Sequence, residues 1–177
     1  MHKQAALVVL LMIAAPLPLS AQEPGPGRFA RNTLSLEIMG HGGAYSIGYE
    51  RLLGPTFALR AGLSYYNFEG GQVTVDGMEG FEEKSALWLT LLPLTASWLR
   101  GHTHHLELGG GPVLGYARLD VAELGSGSDV LFALSGLAGY RYQRPGGGVF
   151  FRAAYTPMWS GGVLSPLWFG FAIGYTF

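Results

Sequence analysis

Three of the five histidines of this 177-residue chain lie close together, in the sequence HTHH at 102–105. Imidazole nitrogen is a good ligand for zinc, copper and nickel, so this density could indicate a metal site. The stretch contains no carboxylate or thiolate to complete the coordination, and Glu107 is expected to point inward, away from the turn. The sequence therefore predicts a solvated turn here, with no metal and no cofactor.

A second candidate for chemistry is the stretch EGGQVTVDGMEGFEEKS at 69–85. It could bind divalent cations that bridge surface lipid, although a solvated acidic loop is the simpler interpretation. Its charged residues are Glu69, Asp76, Glu79, Glu82 and Glu83, against Lys84. The glycine-rich stretches 109–115 and 144–148 open no helix, so they do not predict a phosphate-binding loop.

The composition points to lipid as the solvent of the chain. Charged residues make up 13% of the sequence, whereas a soluble domain carries roughly 25%. A soluble protein of this size could not cover its surface with so few charges. The formal net charge of −1 gives no support for a nucleic-acid partner.

The N-terminal residues 1–21 have the pattern of a cleavable signal peptide. A basic start is followed by an apolar run at 5–19 and the small residues Ser20 and Ala21. The run contains two prolines and is too short to span a membrane as a helix. We expect a flexible linker at 22–32. An exported, apolar chain without a spanning helix must pair its backbone groups in a closed barrel.

Eight alternating runs between residues 33 and 177 match this expectation. The predicted strands are 33–40, 44–53, 57–68, 86–99, 105–119, 129–143, 149–159 and 166–177. The fold class is all-β, an eight-stranded antiparallel up-and-down transmembrane barrel. Short turns follow the second, fourth and sixth strands, and long loops are predicted at 69–85 and 120–128. This alternation places the short turns in the periplasm.

Aromatic residues gather near the two ends of the predicted strands, as expected for girdles at the two membrane interfaces. The outer set is Tyr45, Tyr65, Tyr66, Trp88, Tyr116, Phe132, Tyr155, Trp159 and Trp168. The periplasmic set is Phe57, Trp98, Tyr140, Tyr142, Phe150, Phe151 and Phe177.

The last strand reads FGFAIGYTF, with large apolar side chains on one face and small residues on the other. In the pattern of this last strand and in its predicted architecture, the chain resembles small outer-membrane β-barrel proteins, similar in plan to the OmpA transmembrane domain and OmpX. The resemblance implies a monomer in the bacterial outer membrane, surrounded by its lipid. It also implies that the barrel-assembly machinery reads a C-terminal insertion signal formed by Phe171, Ile173, Tyr175 and Phe177.

Catalysis is not expected, but two outer-membrane enzymes share this barrel size. The lipid A deacylase uses a His-x-Ser pair, which the chain lacks. The palmitoyltransferase uses His, Asp and Ser near the outer face, which His41 and Asp76 could supply together with Ser126, Ser128 or Ser160. A lipid-modifying enzyme is therefore the alternative to a structural, adhesion or surface-interaction role. A soluble lipocalin-like barrel is disfavoured by the sparse charge.

Six charged residues fall on inward positions of the predicted strands, in the periplasmic half of the barrel. They are Glu37, Glu50, Arg60, Glu107, Arg141 and Arg152. Folding each hairpin about its turn places Glu37 beside Glu50, Glu50 beside Arg60, Glu107 beside Arg141, and Arg141 beside Arg152. Three acids and three bases cancel, so the sequence predicts a salt-bridged plug in a lumen that holds little besides side chains.

Overall fold

The computed structural model describes residues 30–70, 85–121 and 125–177 of the chain. The signal peptide and most of the linker that the sequence predicts lie outside these residues. The strands are β1 Asn32–Met39, β2 Tyr45–Leu52, β3 Phe57–Gly70, β4 Ser85–Gly101, β5 His104–Val121, β6 Gly125–Gln143, β7 Gly148–Tyr155, β8 Met158–Ser160, β9 Val163–Ser165 and β10 Phe169–Thr176. A 3₁₀ turn over Gly40–Gly42 joins β1 to β2.

β1 to β7 and β10 close into an eight-stranded antiparallel barrel. Each of β1 to β7 pairs with its neighbour in sequence, and β10 pairs with both β7 and β1. The closing pair β1–β10 places Leu34 opposite Tyr175 and Leu36 opposite Ile173. The predicted all-β, eight-stranded architecture is confirmed.

The two faces of the wall have opposite chemistry. Side chains such as Leu36, Ile47 and Ile173 point outward and are about half exposed, whereas buried polar residues outnumber buried apolar ones among the described residues. This is the reverse of a soluble domain and is typical of a barrel whose outer surface contacts lipid. In the described ranges no helix is long and apolar enough to cross a membrane.

The strand ends differ from the predicted ones at several places. β1 begins at Asn32, whose N–H and carbonyl bond to Phe177 at 2.9 and 2.8 Å, and Ala30 of the predicted linker is buried. The predicted strand at 149–159 is divided into β7 and β8 because Pro157 has no N–H for the ladder. The predicted loop at 160–165 contains the β8–β9 hairpin.

A further difference is the predicted loop 120–128, most of which is strand. β5 and β6 continue their ladder through Asp120 opposite Ser126 to Val121 opposite Gly125. A strand that extends into water needs no apolar face. Its polar sequence therefore predicts a loop, although its backbone groups still pair with the neighbouring strand.

Three residues assigned to the aromatic girdles turn away from the lipid. Phe150 is buried in the lumen, where the guanidinium of Arg141 lies 4.9 Å from its ring centroid. Tyr66 and Trp168 point to the 3₁₀ turn and bond to its carbonyls. Alternation explains Phe150, since it shares its face with Arg152 and Ala154.

The barrel is much taller on one side than on the other. β3 to β6 have 14 to 19 residues, whereas β1, β2, β7 and β10 have eight. Beyond the row formed by Ser64 and Leu91, the long strands continue as a four-stranded sheet. This projecting sheet consists of residues 64–70, 85–91, 115–121 and 125–131.

Candidate functional site

The six charged residues singled out from the sequence all lie inside the barrel and are at most 5% exposed. Each stands within six residues of the strand end that carries the short connections. Glu37 comes from β1, Glu50 from β2, Arg60 from β3 and Glu107 from β5. Arg141 and Arg152 come from β6 and β7. We call this set the lumen charge cluster.

Glu37 is the centre of one half of the cluster. Both of its carboxylate oxygens accept hydrogen bonds from Arg60 at 3.1 Å, and Arg152 donates at 2.9 Å. The hydroxyl of Ser46, its cross-strand neighbour, donates at 3.1 Å. Two guanidinium groups therefore share one carboxylate, which offsets much of the cost of burying it.

Arg141 is the centre of the other half. It pairs with Glu50 and donates to Gln143 and to Glu107, the last at 3.5 Å. Glu107 also accepts a hydrogen bond from Ser97 at 2.7 Å. Arg152 joins the two halves because its guanidinium lies 3.8 Å from Glu50 and 3.7 Å from Glu107.

The predicted neighbour pairs agree with the strand register only in part. Glu50 stands opposite Arg60, and Arg141 opposite Arg152. Glu107 stands opposite Gly139, two residues from Arg141, and the long arginine side chain spans the offset. The placement of Glu37 beside Glu50 is wrong.

Glu37 stands instead opposite Ser46, and Glu50 opposite Thr33, so the two glutamates are offset by four residues along the hairpin. The main partner of Glu37 is Arg60, two strands away, which the sequence analysis missed. Gly48 of β2 makes this contact possible, since a Cβ at its position would lie 2.5 Å from Nε of Arg60. The sequence contained one signal for this contact between Arg60 and Glu37, namely a glycine on the inward face of β2, the strand that lies between them.

The 3₁₀ turn covers the cluster on its outer side. His41 is fully buried, with Nδ1 3.6 Å from Glu37, too long for a hydrogen bond. Trp168 donates to the carbonyl of Gly40 at 2.7 Å and Tyr66 to that of Gly42 at 2.5 Å. These bonds hold the turn inside the barrel mouth.

Apolar side chains fill the lumen at the opposite end, where the short turns lie. Leu52, Ala58 and Leu99 form one buried group. Ala30 lies beside the β6–β7 turn, with its N–H bonded to the carbonyl of Pro145 at 2.8 Å. Along the described part of the barrel, the lumen is therefore occupied at three levels: the turn, the charge cluster and the apolar group.

The other sequence candidates are not brought together in this way. His102 and His104 are exposed, and His104 Nδ1 lies 2.6 Å from the hydroxyl of Tyr140. Within residues 30–70, 85–121 and 125–177 no three potential metal-ligating side chains form a group. His41, expected in an outer loop, is buried, and Asp76 and most of the acidic stretch lie outside the described residues. Phe171, Ile173, Tyr175 and Phe177 all face outward.

Comparison with known proteins adds two similar structures. No protein-family model matches the chain, and no curated protein matches it. Two crystal structures of Ail, the attachment invasion locus protein of Yersinia pestis, are similar, one of them in complex with the heparin analogue sucrose octasulfate. Their identities are 10% and 12%, with TM-scores of 0.45 and 0.44. Each comparison covers 82% of this chain and 92% of the other. The strand pairing establishes a closed eight-stranded barrel, and its apolar outward face makes it a small membrane β-barrel.

Proposed function

We propose that this chain is an integral outer-membrane protein that acts through its external surface and not through a pore. The projecting sheet is the observation that carries this proposal. A transmembrane strand needs roughly 9–11 residues, and β5 and β6 have 18 and 19. The excess of about seven to ten residues per strand corresponds to roughly 25–30 Å of additional strand length.

The projecting sheet is exposed on both faces. Tyr65, Tyr116 and Val130 are at least half exposed, as is Phe68 near its end. Its carboxylates include Glu69 and Asp120, and Arg118 lies 3.2 Å from Asp120. Exposed aromatic groups with charges between them are suited to binding another macromolecule. An adhesion or surface-interaction role follows from this surface.

The outward apolar face supports a membrane location, and the outward residues of β10 support recognition by the barrel-assembly machinery during insertion. Phe171, Ile173 and Tyr175 present the alternating apolar face that the resemblance associates with that step. Outer-membrane lipid is then the solvent of the barrel, and a monomer closes the barrel wall without a partner chain, through the β1–β10 pair. The lipid-modifying enzyme gains no support, because the buried ring of His41 has no contact with solvent.

Cysteine labelling on intact cells tests the location and the orientation, because the chain contains no cysteine. We expect Ser128→Cys, on the projecting sheet, to react with a membrane-impermeant maleimide. Gly146→Cys, in the exposed β6–β7 turn, should react only after the outer membrane is permeabilised. Equal labelling of the two variants on intact cells would contradict the proposed orientation.

Planar-bilayer recordings test the closed lumen. Because the charge cluster and the apolar group occupy the lumen, we expect the inserted wild-type barrel to show no steady conductance. An open porin in the same bilayer serves as the positive control, and heat-dependent gel mobility confirms that the preparation is folded. Large, steady wild-type conductance would overturn the closed lumen while leaving the membrane location intact.

A further inference from the structure

The two ends of the barrel carry opposite exposed charge. Near the short turns, the exposed charged side chains of the described residues are Arg31, Arg51, Arg100 and Arg144. At the other end, three carboxylates on the projecting sheet outnumber the one exposed arginine that the described residues place there, Arg118; they belong to Glu69, Asp120 and Asp129. The end with the short turns is thus basic and is suited to an anionic surface.

A groove of about 430 Å³ lies on the lipid-facing wall above this basic end. Its floor is formed by small residues, Ala61 of β3, Ala96 of β4 and Gly110 of β5. Leu59 and Leu94 form its sides. The ladder between β4 and β5 is interrupted between Pro93 and Ala96, where Pro112 lacks an N–H, so the wall is indented at this level.

Arg51 lies at the edge of the groove, on the same outward row as Leu59 and Ala96. It is exposed and makes no ion pair or side-chain hydrogen bond with any residue the structure describes. A guanidinium on a lipid-facing wall is stabilised when it extends to the interface and binds a phosphate with its two parallel donors. A lone cation beside an apolar groove matches a ligand with one phosphate and a long apolar chain.

We propose that this groove binds one anionic phospholipid of the periplasmic leaflet, with its phosphate on Arg51. One acyl chain lies across Ala61, Ala96 and Gly110, where the missing side chains leave room for it. The neighbouring arginines of the basic end favour a headgroup with net negative charge over a zwitterionic one. The inference rests on the proposed membrane location and orientation.

Native mass spectrometry of the full chain in detergent tests this site. Phosphatidylglycerol and phosphatidylethanolamine with the same acyl chains are titrated separately. We expect the first phosphatidylglycerol to bind with a dissociation constant about tenfold lower than that of phosphatidylethanolamine. Arg51→Gln should remove this preference, and Ala96→Leu should weaken both lipids because it fills the groove.

Two matched variants serve as controls. Arg144→Gln removes another exposed arginine of the same end, away from the groove, and Ala153→Leu enlarges a small outward residue on the opposite wall. Both should bind phosphatidylglycerol like the wild type. Equal affinity for the two lipids, or equal losses in Arg51→Gln and Arg144→Gln, would overturn the site.

Failure of the site can be separated from failure of the proposed function. Every variant is first shown to have the heat-dependent gel mobility of a folded barrel. A folded wild-type barrel without lipid preference would overturn the site alone, whereas the cysteine labelling above decides the orientation independently.

Discussion

Replacing Arg152 with methionine is expected to destabilise the folded barrel by about 3–5 kcal/mol, the range found when one partner of a buried ion pair is removed. Arg152 contacts Glu37, Glu50 and Glu107 and is 1% exposed. Methionine keeps much of the side-chain volume but leaves three buried carboxylates with two guanidinium groups. Urea unfolding in lipid vesicles, followed by tryptophan fluorescence, measures the change.

Arg118→Met is the matched control. Arg118 also forms an arginine–carboxylate pair, with Asp120 at 3.2 Å, but its side chain is about half exposed. Water and salt screen such a pair, so we expect a loss of about 0–1 kcal/mol. Equal losses for Arg118→Met and Arg152→Met would show that the lumen charge cluster contributes nothing beyond an ordinary surface pair.

A double variant separates the effect of the lost charge of Arg152 from the effect of its lost packing. In Arg152→Met the carboxylate of Glu37 loses its 2.9 Å partner. Adding Glu37→Gln removes the unbalanced charge, so the two changes together should cost less than their sum, with a coupling energy of about 0.5–3 kcal/mol. Strict additivity would indicate that Arg152 acts through packing alone.

The inward position of the charged residues could be predicted because a strand alternates its faces with a period of two. Once Glu37 and Glu50 are assigned to strands with outward neighbours such as Ile38 and Tyr49, their direction is fixed by parity. A one-residue error in a strand end does not change this parity. The direction of a side chain is therefore a robust inference even where the boundaries of its strand are not.

The partners of those residues could not be predicted with the same ease. Pairing depends on the register, and the register of β1 with β2 depends on the conformation of the turn between them. The 3₁₀ turn places Glu37 opposite Ser46, and the gap at Gly48 then lets Arg60 reach across β2. Both facts require the three-dimensional positions of three strands.

The burial of His41 has a similar cause. The turn that contains it reads as a short outer loop, because glycines surround the histidine on both sides. Its inward position depends on Tyr66 and Trp168, which are 25 and 127 residues away in sequence. Local pattern contains no information about such partners. The 3₁₀ turn is therefore the part of the lumen that the sequence analysis missed entirely.

Replacing Gly174 with valine is expected to prevent closure of the barrel. Gly174 of β10 stands opposite Ser35 of β1, and a Cβ at its position would lie 2.2 Å from the carbonyl oxygen of Leu34. That oxygen belongs to the backbone and cannot rotate away. The strands must separate, and overpacking of this kind costs about 1–3 kcal/mol or more.

Because the strain lies at the closing pair of strands, its effect on folding is larger than the overpacking energy alone suggests. β1 and β10 are the first and last strands of the barrel and close it by pairing with each other, so their separation opens two strand edges. An unpaired edge in lipid leaves N–H and carbonyl groups without partners, which a membrane does not tolerate. We therefore expect Gly174→Val to lose the heat-dependent gel shift of a folded barrel, and Gly174→Ala, which adds the Cβ alone, to fold with reduced yield.

Gly127→Val provides the control for this prediction. Gly127 also lies in a strand, β6, but a Cβ at its position meets no atom within 4 Å. If loss of glycine itself or a general effect of valine were responsible, both variants would fail to fold. Folding of Gly174→Val at the wild-type yield would contradict the close approach of β10 to β1. Failure at Gly174 with normal folding at Gly127 would assign a closing role to the small face of the last strand, opposite the apolar face that contacts lipid.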